Sequence, residues 1–471
     1  MSTTTVDANL GVGNANSSAA GPLEQKHMQN PNYRAVAASG EQITKTHWHI
    51  ATANAAGWGF DGMDGVIFAL ISPMVIKEFA LSIPEYRSSL QIALFFSIAG
   101  LYFWPWLSDR LGRRTLLAVN IALFSLLMPV VALSPTFAFF VAARCVVGFA
   151  LSGEWALGSM LVAETWPAAV RGRVISASRA TWCLGASFAG GITGTFATAY
   201  GWRMAVIVPG VIALLAIYVR ATCPESPYWV RTQDRKQRIK ETLERGGKLS
   251  AEDDAWYNKA SMGWRQGFGV IPVFRSDILP ATLVALFIAC CSTAIFGTVG
   301  GWMPYYLNVE KHWETWEYSA FYIGWGISGF FGLCVAGWLA DKVGRRVGFI
   351  VTLLEGALFI TLWVYSDSHL WLWVFGMLWS FGFLGFWGPS TTLTAEVFPT
   401  RLRGTANGVV WAIAYLIGFI LFPFFTVYLQ QRTGSFDLAF LCIPVLMVAM
   451  AVGVWLWVPE HSGKELNQIA T

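Results

Sequence analysis

Apolar runs long enough to cross a lipid bilayer recur along nearly the whole chain, and no other feature narrows its possible folds so far. A membrane-spanning helix needs about 20 mostly apolar residues. Runs of that kind fall near 51–76, 88–107, 115–134, 137–163, 172–198, 203–222, 279–303, 318–340, 347–366, 370–395, 404–429 and 437–458. In hydrocarbon every backbone N–H and C=O must be bonded inside the protein, so uninterrupted runs of this length are read as helices. The chain is only 13% charged, against roughly 25% in ordinary water-soluble domains. The expected fold is therefore an all-α membrane protein with twelve transmembrane helices, and its first partner is the lipid bilayer.

Twelve spans place both termini on one side. Of the 32 Lys and Arg residues, only Lys77, Arg87, Arg203, Lys311 and Arg432 fall in connections on the other side, while Arg144 and Arg179 fall within spans. Positive residues accumulate on the cytoplasmic side of a membrane. Both termini are thus expected in the cytoplasm, with the protein in the plasma (cell inner) membrane. Residues 1–48 are polar and lack the apolar core of a signal peptide, so they are expected to be a disordered cytoplasmic tail. A first six-helix bundle is expected over 49–228 and a second over 277–460. Between them lies a polar cytoplasmic linker loop, 229–276, and a short cytoplasmic tail follows at 461–471.

The two halves repeat each other. Asp109-Arg110-Leu111-Gly112-Arg113-Arg114 matches Asp341-Lys342-Val343-Gly344-Arg345-Arg346 at an offset of 232 residues. Ala163-Glu164-Thr165-Trp166-Pro167 with Arg171-Gly172 matches Ala395-Glu396-Val397-Phe398-Pro399 with Arg403-Gly404 at the same offset. Two separate motifs in one register point to structural duplication, a common way to build a transporter. In these short loops Asp109 can set a carboxylate at the positive N-terminus of a facing helix. Arg113 and Arg171 can pair with Asp109 and Glu164.

The D-R-x-G-R-R loop, its second copy and the E-x-x-P…R-G pattern resemble the major facilitator superfamily over about residues 50–460. One departure is visible, because the Gly that usually precedes the loop motif is present as Gly337 but replaced by Pro105 in the first copy. The resemblance implies two pseudo-symmetric six-helix bundles that rock about a central site. It also implies a cytoplasmic gate built from Asp109, Arg110, Arg113, Arg114, Glu164 and Arg171, with Asp341, Arg345, Glu396 and Arg403 as the second copy.

Ionisable residues inside spans cost roughly 2.5–3.5 kcal/mol each at a helix centre and persist where they pair or line a wet cavity. Asp61 and Asp64 lie three apart in the first span, on one helical face. They are candidates for proton coupling, or one is a carboxylate locked by an arginine. Glu154, between small residues of the fourth span, is a further proton-site candidate. Arg144 can be a partner for Asp61 or Asp64, or touch substrate. Arg179, deep in the fifth span, suits a bidentate carboxylate, or a salt bridge to one of the acidic residues. Trp182, Trp302, Tyr322, Trp387 and Tyr415 can supply the remaining walls of a substrate site.

The first span's D-G-x-D is similar to that of aromatic-acid and sialate proton symporters, and Gly153-Glu154-Trp155 with Glu164-Thr165-Trp166-Pro167 is similar to the metabolite symporter branches. These resemblances imply proton-coupled import of an organic acid anion. Against them, Pro224-Glu225-Ser226-Pro227 and Pro459-Glu460-His461 resemble sugar-porter endings, so a sugar or polyol symporter is the alternative. A non-transporting sensor is disfavoured by the shortness of tails and loop. No P-loop or nucleophile motif marks an enzyme. The seven cysteines have no C-x-x-C spacing, so no metal or other cofactor is expected. Nucleic acid is not expected as a partner, and the protein is expected to act as a monomer.

Overall fold

A computed structural model of the chain describes residues 21–40, 42–257, 274, 278–398 and 403–458. Among these residues twelve helical spans cross back and forth. The first is Lys45–Leu70, which continues as Ser72–Glu78 after a bend of 46°. Pro73 cannot donate the hydrogen bond that would carry the helix straight on. The second and third are Ile83–Leu111 and Arg113–Ala132. The fourth is broken into Phe137–Leu151 and Glu154–Thr165. The fifth runs from Ala168–Ile192 through a π-helical turn, Thr193–Ala197, to Thr198–Tyr200. The sixth is pieced from Trp202–Ile207, Val208–Ile212 and Ala213–Thr222.

The second half begins with Leu279–Val309, Thr315–Val343 and Arg345–Val364 as spans seven to nine. The tenth joins His369–Gly385 to Trp387–Glu396. The eleventh is Arg403–Ala414, π-helical Tyr415–Leu421 and Phe422–Thr433, and the twelfth is Asp437–Trp457. Eight of these helices are individually long and apolar enough to cross a membrane, and nine if the bent first pair counts as one span. The fourth and sixth spans are divided into shorter pieces, and the fifth carries Arg171, Arg173 and Arg179.

The repeat seen in sequence is a repeat in backbone geometry. Gly112 (φ 96°, ψ 151°) and Gly344 (φ 104°, ψ 146°) make the same turn at equivalent places in the two halves. That conformation strains any residue with a Cβ, so the glycine of the repeated motif is required by the turn itself. Each turn is followed by an arginine braced against the last helix of its own half. Arg114 donates to the Arg220 carbonyl, and Arg346 donates to the Trp455 carbonyl while stacking on that indole.

Two expectations are corrected. Residues 21–40 are folded, with helices Pro22–His27 and Pro31–Ala37. Residues 229–276 are not all loop, because Pro227–Glu244 is an amphipathic helix. The two regions hold each other. Asp234 accepts hydrogen bonds from the Leu23 and Glu24 backbone N–H groups at 3.0 and 2.9 Å, and Arg231 pairs with Glu24 at 3.0 Å. Tyr33, Trp229 and Val230 form a small buried core beneath them. Residues 1–20 and 461–471 lie outside the described residues.

The halves are tied at the end away from the Gly112 and Gly344 turns, called here the far end. Tyr318 Oη donates to the Leu70 carbonyl at 3.1 Å, Ser187 Oγ to the Ile323 carbonyl at 2.9 Å, and Gln91 Nε2 to the Ile420 carbonyl at 3.1 Å.

Candidate functional site

Between the halves lies a cavity of about 340 Å³. Its position follows from how the first and fifth spans meet. A Cβ at Gly62 would collide with the Trp182 carbonyl, and one at Gly185 with the Gly59 carbonyl. The two backbones therefore touch, which small residues permit between membrane helices. That contact brings Asp61 and Asp64 of the first span beside Trp182 and Arg179 of the fifth, and all four line the cavity.

The two aspartates have different partners. Arg144 Nη1 lies 3.1 Å from Asp64 Oδ1, with side-chain exposures of only 10% and 5%. The Phe68 ring supports the guanidinium from 3.6 Å. Asp61 instead accepts one hydrogen bond, from Trp182 Nε1 at 3.0 Å. Of the alternatives open in the sequence, the locked carboxylate is Asp64 and its lock is Arg144. Protonating Asp64 would break an ion pair, whereas protonating Asp61 would not.

Glu154 was expected in the same wet site and is elsewhere. It is 1% exposed, with its carboxylate packed against Gly57, and it does not line the cavity. The helix break at Ser152–Gly153 turns it into the contact between the first and fourth spans. Trp302 is likewise no cavity wall. It is fully buried and stacks on Phe436 with centroids 5.1 Å apart. Tyr322, Trp387 and Tyr415 do line the cavity, joined by Trp58, Phe296 and Trp325. Phe296 sits at the centre of this wall, edge-on to Trp182 at 5.3 Å and to Trp387 at 5.6 Å. Arg179 lies 5.4 Å from the Trp58 ring.

Arg87 was assigned to a connection by the sequence and is a cavity residue. It is 6% exposed and stands on the face of the second span that carries Gln91, Leu94 and Ile98, all of which line the cavity. A signal for this was present. Ser82 and Glu85 form a capping box, with Pro84 in the first turn, which starts the helix at Ile83 and puts Arg87 a full turn inside it.

Several buried polar atoms of the lining residues have no hydrogen-bond partner among the described residues. They are Arg87 Nε, Arg144 Nε, Tyr322 Oη, Trp325 Nε1 and Trp387 Nε1, with Gln91 Oε1 as an acceptor. Buried polar atoms are normally satisfied. The cavity itself is lined by Arg87, Arg144 and Arg179 against Asp61 and Asp64 among the described residues, an excess of positive charge that suits an anion.

At the turn end Arg113 lies 2.8 Å from Asp109 and 3.2 Å from Glu164, and its Nη1 also donates to the Ser108 carbonyl. Arg110 stacks on Trp106. Arg345 is half-buried at the start of the ninth span. The side chains of Arg171, Asp341, Glu396 and Arg403 lie outside the described ones. The carboxylate at a helix N-terminus is not Asp109 but Glu225, which accepts from the Arg113 and Arg114 backbone N–H groups at 2.8 and 3.2 Å. Burial pushes the Glu225 carboxyl above the usual range, against the pull of the Ser226, Arg114 and Arg113 backbone donors. The Asp109 carbonyl accepts from Trp229 Nε1 and Gln233 Nε2, which ties the folded linker helix to this turn.

Two repeated six-helix halves joined around a largely apolar chamber that holds a few charged side chains define a multi-pass membrane transporter, not an enzyme. The model of the Major Facilitator Superfamily matches residues 55–423 and 326–471, and the chain belongs to that family. It is 28% identical to the niacin transporter NiaP of Acinetobacter baylyi, over 91% of this chain and 97% of that one. It is 27% identical to the cis,cis-muconate transport protein of the same species, over 76% of this chain and 81% of that one. The crystal structure of a D-xylose-proton symporter superposes with a TM-score of 0.68 at 19% identity, covering 88% of this chain and 99% of that one.

Proposed function

We propose that the protein imports a small organic acid anion together with protons, by alternating access of the two halves. The observation that carries this reading is the excess of guanidiniums over carboxylates among the described residues that line the central cavity. Three guanidiniums and two carboxylates line it, and one of the carboxylates is already engaged by Arg144. Niacin and cis,cis-muconate, named for two relatives, are both carboxylic acids.

Asp61 is the proton carrier in this scheme, because its protonation breaks no ion pair. A charged carboxylate closed into a cavity away from water is costly, and a proton removes that cost before the halves rock. Arg179, on the opposite side of the contact with the first span, holds the substrate carboxylate. The excess of Lys and Arg on the turn side puts that side in the cytoplasm. The ties at the far end then correspond to an inward-facing arrangement, with the Arg113 cluster at the open cytoplasmic mouth.

The test is uptake into proteoliposomes under an imposed pH gradient, comparing labelled niacin, muconate, sialate and a hexose. Carboxylates should accumulate when the outside is acidic, and Asp61→Asn should exchange substrate without concentrating it. Normal pH-driven accumulation in Asp61→Asn would remove Asp61 from coupling. Uptake of the hexose alone would replace this reading with a sugar symporter.

A further inference from the structure

Arg87 has no place in the scheme above. It stands one turn into Ile83–Leu111 at the far end and is almost wholly buried. Its Nε has no hydrogen-bond partner, and it forms no ion pair among the described residues. What it meets instead belongs to the seventh span, in the other half. The ring of Trp302 lies 5.6 Å from the guanidinium. A Cβ at Gly301 would collide with Nη1, so the absent side chain is what leaves room for the fork. Trp302 is itself fully buried and held by its stack on Phe436. The place of Arg87 is therefore a seam contact that exists only while the halves are together at the far end.

Two opposing effects act on that contact. A guanidinium is attracted to an aromatic face from within about 6 Å, and 5.6 Å is the outer part of that range. Taking a guanidinium out of water without a counter-ion is costly, and an aromatic ring at this distance returns only part of what is lost. Closing the far end thus works against Arg87. Other contacts across the seam work for closure. Gln91, one turn along the same helix from Arg87, donates to the Ile420 carbonyl, and Tyr318 and Ser187 donate to the Leu70 and Ile323 carbonyls. An opposing charge and a fastening hydrogen bond therefore stand one turn apart on the second span.

We propose that Arg87 is a gating residue of the far mouth, where burying its guanidinium against Trp302 and Gly301 opposes closure and so sets the balance between the two facing states. When the halves part at that end, Arg87 leaves Trp302 with the first half and regains water. The empty carrier is thereby drawn back towards the state that is open at the far end. This rests on alternating access, and not on the identity of the cargo.

The test is hydrogen–deuterium exchange of the purified full-length protein in detergent, read by mass spectrometry at the far-end connections, residues 79–83 and 310–314, and at the Gly112 and Gly344 turns. A shift between facing states moves exchange in opposite directions at the two ends, whereas a loss of stability raises it at both. Arg87→Gln should lower exchange at the far end and raise it at the turns, reporting a shift of about tenfold in the ratio of states. Arg87→Lys keeps a charge to bury and should retain most of the wild-type balance. Gly301→Ala crowds the guanidinium in the closed far end, so it should shift the balance the opposite way, and it carries the test if Arg87→Gln does not fold. In the Arg87→Gln background it should shift nothing further. Tyr318→Phe, which removes a fastening hydrogen bond and no charge, is the control and should favour the open far end. Higher far-end exchange in Arg87→Gln, equal rises at both ends, or no change would overturn the gating role while the control response upholds alternating access. A control without opposite responses at the two ends would overturn alternating access and this proposal with it.

Discussion

The division of labour between Asp61 and Asp64 can be tested by a double-mutant cycle on the Asp64–Arg144 pair. The perturbations are Asp64→Asn, Arg144→Gln and the two combined. The partners lie 3.1 Å apart with side chains 5% and 10% exposed, so neither charge can turn to water when the other is removed. Breaking a buried pair from one side costs about 3–5 kcal/mol, because the surviving charge stays buried and unbalanced. Removing both charges avoids that penalty, so the double variant should lose no more than about 2 kcal/mol. The two single losses together then exceed the double by several kcal/mol, far beyond the few tenths seen for independent sites. Asp61→Asn is the control. Its one hydrogen bond, from Trp182 Nε1 at 3.0 Å, can still be accepted by an amide oxygen, so the loss should stay near 1 kcal/mol. The assay is reversible unfolding in mixed detergent micelles followed by circular dichroism, with each variant also tested for pH-driven uptake. Single losses below about 1 kcal/mol, or a double loss equal to the sum of the singles, would refute the assignment of Asp64 to Arg144. A loss in Asp61→Asn as large as in Asp64→Asn would refute the contrast between them.

Three further predictions concern the turn end. Gly112→Ala should destabilise the protein by about 1–3 kcal/mol, because φ is +96° and the Glu225 carboxylate occupies the place of a Cβ. Gly337→Ala, with nothing within 4 Å of its Cβ position, should leave the melting temperature unchanged or raise it; equal effects of the two would contradict the turn argument. Asp234→Ala should remove the cap on Pro22–His27, at a local cost of about 1 kcal/mol, and speed protease cleavage within 21–40. An unchanged cleavage time course would show that the cap does not hold this segment. The Glu225 carboxyl is raised above its ordinary value of 4.5, so its contribution to stability is complete below that pH and is lost as pH rises through the folded value. The melting-temperature difference between wild type and Glu225→Gln should therefore become less favourable to wild type as pH goes from about 4 towards 7; a change of the opposite sign would refute burial as the dominant influence on this group.

How far the site could be read in advance depended on the residue. Asp61 and Asp64 were visible because two acids in one apolar run are rare and expensive. Their separation into an ion-paired member and an unpaired one needed the position of Arg144, which comes from a helix 80 residues away in sequence. Glu154 carried the same signal as Asp61 but lies outside the cavity lining. A break in the fourth span at Ser152–Gly153 turns it against Gly57 instead of into the chamber. Arg87 went the other way. Near the end of a span it counted as a topological charge, and only the capping box at Ser82 hinted that it lay inside the helix. Glu225 was noted as part of a sugar-porter-like ending, with no sign that it would grip the Gly112 turn.

What the sequence alone determined was the membrane, the twelve helices, the duplication and the side on which positive charge collects. These follow from local quantities, namely hydrophobic length, motif register and loop composition, each of which acts through a solvent rather than through a particular neighbour. Which charges share a cavity, which are neutralised and which face a ligand was decided only by tertiary structure. A charge in lipid is stabilised or stranded by atoms within a few ångströms of it, and those atoms come from helices whose rotation and breaks are set by packing between glycines such as Gly62 and Gly185.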